Sequence, residues 1–250
     1  MATIRELLAR RTDLSTFVVH LTREAIAGQG PSCNLVAILQ GQKIEARHPF
    51  GSAAAKTSGV DQASQNCVCF TETPLEHLHL FFHEITDLSR DCKFAPYGVA
   101  ITKRVARNSG VNPVWYTDIS PTGHNWLINS VNALVVEALT KLAEERKTNS
   151  EAKFGDMHIA KLAPFIEQMG HQLGSYRKEF WWEREWRKVG NFCLPNRYLI
   201  IAPQAEHASM LAVANDGGDK RASAIDANWG LEEIIGRLAG FKDDEVGVPI

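Results

Sequence analysis

The sequence contains no Gly-x-Gly-x-x-Gly and no Gly-x-x-x-x-Gly-Lys-Ser/Thr, which argues against a Rossmann dinucleotide unit or a P-loop. It has no Gly-x-Ser-x-Gly elbow either, the usual mark of an α/β-hydrolase nucleophile. No apolar run approaches the roughly 20 residues needed to cross a bilayer. The start, Met1 to Glu6, lacks the charged-then-apolar layout of a secretory leader, so a cytoplasmic location with no membrane attachment is expected. The five cysteines (33, 67, 69, 92 and 193) are odd in number and form no Cys-x-x-Cys pair, which argues against a disulfide framework and suits a reducing compartment. Charge of one sign is also scarce. A net charge of −2 excludes broad electrostatic coating of nucleic acid or anionic lipid but leaves room for a local basic groove. What remains is 250 residues at 44% hydrophobic content, ordinary for a globular chain with a substantial core.

Periodicity divides the chain into short strands scattered among helices, with no regular βαβ alternation and no internal repeat, and so predicts an α+β fold. A short helix is expected over 3–11, where Ile4, Leu7 and Leu8 share a face. Phe17 to Thr22 reads as the first buried strand. A helix capped by Asn34 then carries Leu35, Ile38 and Leu39 and ends at Gly41, followed by a short strand at Lys43 to Ala46. Residues 47–65, rich in Gly, Ala, Ser and Gln, read as a long mobile loop able to close over a ligand. Cys67 to Thr71 is a strand, and Pro74 opens a helix from Leu75 to Glu84. Strands are expected at Tyr97 to Thr102 and Pro113 to Thr117, flanking the basic Lys103 to Arg107. The longest helix, over 124–147, carries the stripe Leu127, Val131, Leu134, Val135, Ala138 and Leu142. A linker over 148–156 and a weaker helix over 157–173, interrupted by Pro164, lead to a tryptophan-rich strand. Arg197 to Ala202 is a strand, Glu206 to Ala214 a helix, 215–218 a turn, and Leu231, Ile234, Ile235 and Leu238 mark a closing helix.

The strongest chemical signal is Phe180-Trp181-Trp182-Glu183-Arg184-Glu185-Trp186-Arg187. In a strand, side chains alternate faces, so Glu183 and Glu185 would project together with Trp182 and Trp186 behind them. A carboxylate pair against tryptophan is costly to bury unless it meets water, a partner or a ligand. On the first strand His20 and Thr22 share a face opposite Phe17, Val19 and Leu21.

In order along the chain come His20-Leu21-Thr22, a helix with Asn34-Leu35 and Ile38-Leu39, the run "CFTETPLEHL", "YGVAITK", "GVNPVWY" and "EREWR". This order resembles the ADP-ribosyltransferase fold, with a His-x-Thr entry similar to DarT-type nucleic-acid-modifying enzymes. The quoted runs resemble the AbiGi-type abortive-infection family of bacterial phage-defence proteins. The likeness covers about residues 17–190. It implies a split β-sandwich of two small sheets with surrounding helices and NAD in the cleft. The chain would then be a single domain, core about 14–202, with a C-terminal α/β extension over 203–250.

The same resemblance implies residue roles. His20, with Leu21 and Thr22, would hold the NAD ribose or nicotinamide, and Phe70, Thr71 and Thr73 would frame the nicotinamide. The Glu-x-Glu pair would supply the catalytic carboxylate. Such chemistry passes through an oxocarbenium-like centre, which a carboxylate stabilises. Glu185 takes that role and Glu183 the acceptor side, with the reverse order open. Arg47 or Arg23 would meet the pyrophosphate. The acceptor would be RNA or DNA, drawn to Lys103, Arg104 and Arg107, with a protein acceptor the other choice. Thr71-Glu72-Thr73 stands where a serine-threonine-serine run is expected, leaving Glu72 either a helix cap or a site residue. The reading is thus an NAD-dependent ADP-ribosyltransferase toxin. Two alternatives compete with it: an inactive relative acting as antitoxin or sensor, with a cognate partner, and a zinc hydrolase using Cys67, Cys69, His79 and His83.

Overall fold

In the computed structural model the described residues are 13–23, 30–83, 94–120, 124–170, 172–173, 176–177, 181–216 and 221–241. The helix expected over 3–11 and part of the 215–218 turn lie outside them. The elements used below are, in chain order, β1 (Phe17–Arg23), α1 (Pro31–Gly41), β2 (His48–Pro49), β3 (Asn66–Phe70), β4 (Phe94–Thr102), β5 (Asn112–Pro113) and β6 (Trp115–Asp118). They continue with α2 (Trp126–Glu145), β7 (Ile166–Met169), β8 (Trp186–Val189), β9 (Arg197–Ile201), α3 (His207–Asn215), β10 (Arg221–Ile225) and α4 (Leu231–Ala239). The α+β class is as expected. The chain divides into two compact units, one of residues 1–44, 70–106 and 193–250, the other of 45–69 and 107–192.

The first unit is built on a four-stranded sheet in the order β1-β4-β9-β10. β1 runs antiparallel to β4 from Phe17↔Thr102 to Leu21↔Gly98, then slips to Arg23↔Phe94. Its centre is a run of buried branched residues, Val18, Val19, Val99, Ile101, Ile200 and Ile201, which pack well on a pleated surface. β9 and β10 pair in parallel, with α3 as the connection that parallel strands require. α1 begins at Gly30 with Pro31 in its first turn, where a missing N–H costs nothing. Asn34 therefore lies inside the helix rather than capping it, and its side-chain amide donates to the Arg23 carbonyl at 2.6 Å. Gln42, at φ 50°, closes the helix by donating its N–H to Ile38 O. The helix expected from Leu75 to Glu84 is broken into a 3-10 turn at Leu75–His77 and a short helix at Leu80–His83.

The second unit holds the sheet β2-β3-β8-β5 and the parallel pair β6-β7. α2 lays Val135, Ala138 and Leu142 against Ala53, Ala152, Phe154, Ala160 and Ala163, while Ile128 and Val131 pack with Ile166. Leu127 and Leu134, assigned to that stripe from sequence, are exposed; Ile128 takes the inward place. The weak helix expected over 157–173 is short: His158–Leu162, then a 3-10 turn at Ala163–Phe165, then strand β7. Pro164 accounts for the break, because it has no N–H to donate to the carbonyl one turn earlier and its ring crowds that turn.

Residues 47–65 are not a mobile lid. β2 pairs with β3, Ala54–Lys56 and Gly59–Ala63 are helical turns, and Ser52, Ala53, Thr57 and Gln65 are buried. Asp61 accepts two hydrogen bonds from Arg146, both at 2.9 Å, and one from the Phe154 N–H at 3.1 Å. The Arg146 guanidinium holds the Asp61 carboxyl below its usual range. Gly51, at φ +82°, approaches Ala163 so closely that an added Cβ would stand 1.9 Å from its carbonyl oxygen. Small residues pack here by close backbone approach, which hydrophobic periodicity does not register. Amides of Ser52, Gln62 and Gln65, which donate to the carbonyls of Ala163, Ser58 and Gln62, are expected to be protected from hydrogen exchange in the free protein. Exchange there as fast as in an unstructured peptide would restore the lid.

Candidate functional site: a buried arginine cluster in the second unit

The paired carboxylates do not share a strand face. Trp181–Glu183 forms a 3-10 turn, Arg184 takes the left-handed φ of 46°, and β8 begins only at Trp186. The Arg184 N–H closes the turn onto Trp181 O at 3.3 Å. Positive φ in a non-glycine residue reverses the chain locally, which breaks the alternation assumed for an extended run. Trp186 is buried as expected.

Downstream of that turn, Arg187 is only 1% exposed. Its Nε and Nη2 donate to the two carboxylate oxygens of Glu185 at 2.9 and 2.8 Å. Nη2 also donates to Glu167 Oε2 at 2.8 Å, and Nη1 to Pro164 O at 2.6 Å. The guanidinium carbon lies 4.6 Å from the centre of the Phe50 ring, within cation–π range. Burial opposes the charge, but the Glu185 and Glu167 carboxylates outweigh it and raise the Arg187 pKa. The fork-on-carboxylate geometry is what planar guanidinium does best. Both Glu185 oxygens are thus engaged by this chain's own arginine.

The surrounding groups respond to that charge. Tyr116 accepts the Glu185 N–H at its hydroxyl, 3.3 Å away, and burial, then the Glu185 charge, raises its pKa. Burial pushes the Cys67 thiol up to about 12, with Arg187 opposing and Glu185 assisting. Cys69 is raised well above its ordinary value by burial and then by Glu185. A thiol moved from 9.0 to about 12 carries roughly a thousandth of the thiolate, and thiolate is the reactive form. At mildly alkaline pH, alkylation of Cys67 is expected to trail that of the exposed Cys33 and Cys193 by on the order of a thousandfold, read by mass spectrometry. Equal rates would mean the cluster is open to solvent.

The first unit holds the other expected residues. His20 packs edge-on against Phe70 with ring centres 5.9 Å apart. Leu21 and Phe70 are core. The Thr22 hydroxyl, also buried, faces the carbonyls of Pro31 at 2.9 Å and Tyr97 at 3.2 Å, tying β1 to α1 and β4. Thr71 pairs its backbone with Val19 and its hydroxyl with Thr73 at 2.8 Å. Glu72 meets Lys103 Nζ at 2.5 Å, so the residue left open from sequence is half of an ion pair. Glu183 and Glu185 belong to the second unit, as does Arg47, which is exposed and 3.3 Å from Glu45.

Of the basic strip, Lys103 is committed to Glu72, Arg104 is exposed, and Arg107 stacks over the Trp186 ring at 5.7 Å. His79 Nδ1 lies 2.9 Å from Glu76 O. Among the described residues no group of three or more His, Cys, Asp or Glu could hold a metal ion, so the zinc alternative lacks a ligand set there. No helix among them is long and apolar enough to cross a membrane.

Arg187, Glu167, Phe50 and Tyr116 were not anticipated as a cluster. The available signal was an arginine two residues beyond Glu185 in a strand flanked by tryptophan, a charge too costly to bury alone.

A family model described as "Putative abortive phage resistance protein AbiGi, antitoxin" matches residues 38–216. No curated protein and no solved structure matches the chain. The match supports the abortive-infection resemblance; the ADP-ribosyltransferase fold and the DarT likeness find no support. The family's antitoxin description overturns the reading of the chain as an NAD-dependent toxin that modifies RNA or DNA, and favours the alternative of an antitoxin.

Proposed function

The chain belongs to the AbiGi abortive phage resistance family, and from that premise we propose that it acts in the cytoplasm as an antitoxin, restraining a toxin partner by binding it. The observation that carries this reading is the antitoxin description over residues 38–216. Two structural features support it. The Glu185 carboxylate is engaged by Arg187, which supports a structural role for it. The second unit also leaves Trp115, Trp126 and Trp181 each more than half exposed, all inside the matched region. Tryptophan is enriched in binding hot spots, because it supplies a large, rigid contact area at low conformational-entropy cost.

The test begins by recovering the protein bound to the tagged chain in its native host and expressing that protein alone and together with the chain. Growth arrest by the partner alone, relieved by co-expression, is expected. Trp115→Ala, Trp126→Ala and Trp181→Ala combined should abolish relief with no change in melting temperature. Failure of the intact chain to relieve arrest would overturn the proposal.

A further inference from the structure

β10 is the outer strand of the first unit's sheet, with β9 on one side and no strand among the described residues on the other. The Arg221 N–H donates to Asn196 O, and the Ile225 carbonyl accepts from the Ala202 N–H. Residues 221, 223 and 225 therefore turn their backbone groups toward β9, and Ala222 and Ala224 turn theirs outward. The Ala224 carbonyl accepts from Arg237 Nε, a long contact at 3.3 Å. The Ala222 N–H and carbonyl meet no partner among the described residues. An open edge of this kind is a template for another strand.

Charge at the start of the strand is the second observation. Arg221 stands in register with Arg197 of β9, about 5 Å away at ordinary strand spacing, and both are exposed. Neither side chain has a hydrogen-bond or ion-pair partner among the described residues, and like charges directly opposite destabilise a sheet. Proteins do place a charge on an edge strand to discourage pairing, which would account for Arg221. It does not account for Arg197, whose strand is interior and otherwise buried from Tyr198 to Ile201.

The neighbouring charges give the edge a direction. At the same end of the sheet Arg104 follows β4 and is exposed, while Lys103 is held by Glu72. The acids there are Asp216, which closes α3, and Asp13, ahead of β1 three strands away; Asp219 and Lys220 cancel in the sequence. The opposite end carries Glu206, Asp226, Glu232 and Glu233 against Arg237 and, at the far edge, Arg23. β10 is thus basic where it starts and acidic where it ends.

We propose that this edge receives an extended segment of the toxin partner, added beside β10 as a further strand with a carboxylate set against Arg221 and Arg197. The partner's identity rests on the antitoxin reading; the site rests on the edge and the arginines. Backbone bonds at Ala222, continued to Ala224 as Arg237 swings off, supply affinity. The arginine pair supplies direction, since an acidic residue is attracted where β10 starts and repelled where it ends.

The full chain is titrated with a labelled strand-forming peptide of alternating threonine and valine carrying glutamates at one end, read by fluorescence polarisation. The same peptide with lysines is the comparison. The acidic peptide is expected to bind and the basic one not, with affinity falling as salt rises. Ala222→Pro removes the outward N–H, leaves the bonds to β9 in place and is tolerated on an edge strand; it should weaken binding by about tenfold or more. Arg197→Gln with Arg221→Gln should weaken it by about as much, yet melt no lower than the native chain because a like-charge pair is gone. No binding of the acidic peptide, equal binding of the two peptides, or full-strength binding by either folded variant would overturn the proposal. So would a native chain that sediments as a dimer split by Ala222→Pro, which would make a second β10 the occupant. Because the probe is synthetic, its failure to bind leaves the antitoxin reading standing, and failure to relieve growth arrest leaves the peptide result unchanged.

Discussion

Replacing Arg187 with methionine is expected to lower the free energy of unfolding by about 3–5 kcal/mol, the usual cost of removing one partner from a buried ion pair. Methionine matches the stem of arginine but strands the Glu185 and Glu167 carboxylates, whose side chains are only 14% and 16% exposed. It also leaves the Pro164 carbonyl without its donor. A domain is commonly stable by only about 5–15 kcal/mol, so the loss should show as a large drop in the urea midpoint. Adding Glu185→Gln and Glu167→Gln should recover part of it, because neutral amides are cheaper to bury than unpaired carboxylates. Glu185→Gln alone should destabilise by about 1–3 kcal/mol. A full-strength midpoint in the Arg187→Met variant would mean the cluster contributes nothing to the fold.

Gly98→Ala should be comparably damaging for a different reason. An alanine Cβ there would sit 2.2 Å from the His20 carbonyl oxygen and 3.1 Å from the Leu21 Cα, both backbone atoms. Neither can rotate away, so β1 must shift against β4 at the point where their register already slips between Leu21 and Arg23. Overpacking in a core typically costs about 1–3 kcal/mol and more where backbone must move; the upper end is expected here. Gly30→Ala, where an added Cβ meets nothing within 4 Å, serves as the control. Equal melting temperatures for the two variants would contradict the close approach drawn here.

These two sites show what a sequence displays and what it hides. β1, β3, β4 and β9 were readable because runs such as Val18-Val19 and Ile200-Ile201 are buried on both sides, and α2 and α4 because their apolar residues recur at helical spacing. The inward face of each helix was less secure: Leu127 and Leu134 point out, and so does the clearest stripe of α4. The segment over 47–65 was misread because alanine and serine at Ser52 and Ala53 pack by closeness rather than bulk. The Glu-x-Glu strand failed on one backbone angle, at Arg184, that no spacing rule foretells. His20 and Thr71 were correctly assigned to strand and strand end, yet the group joining Glu185 to the fold, Arg187, draws its partners from 20 to 137 positions away at Glu167 and Phe50.

The most direct test of the antitoxin account is growth of cells expressing the co-purified partner together with the Glu185→Gln chain, at a temperature where that variant is folded. If Glu185 only steadies Arg187, the variant restores growth as well as the unaltered chain does. A folded Glu185→Gln protein that still binds the partner but fails to restore growth would show that its carboxylate does chemistry, and the binding account would be wrong.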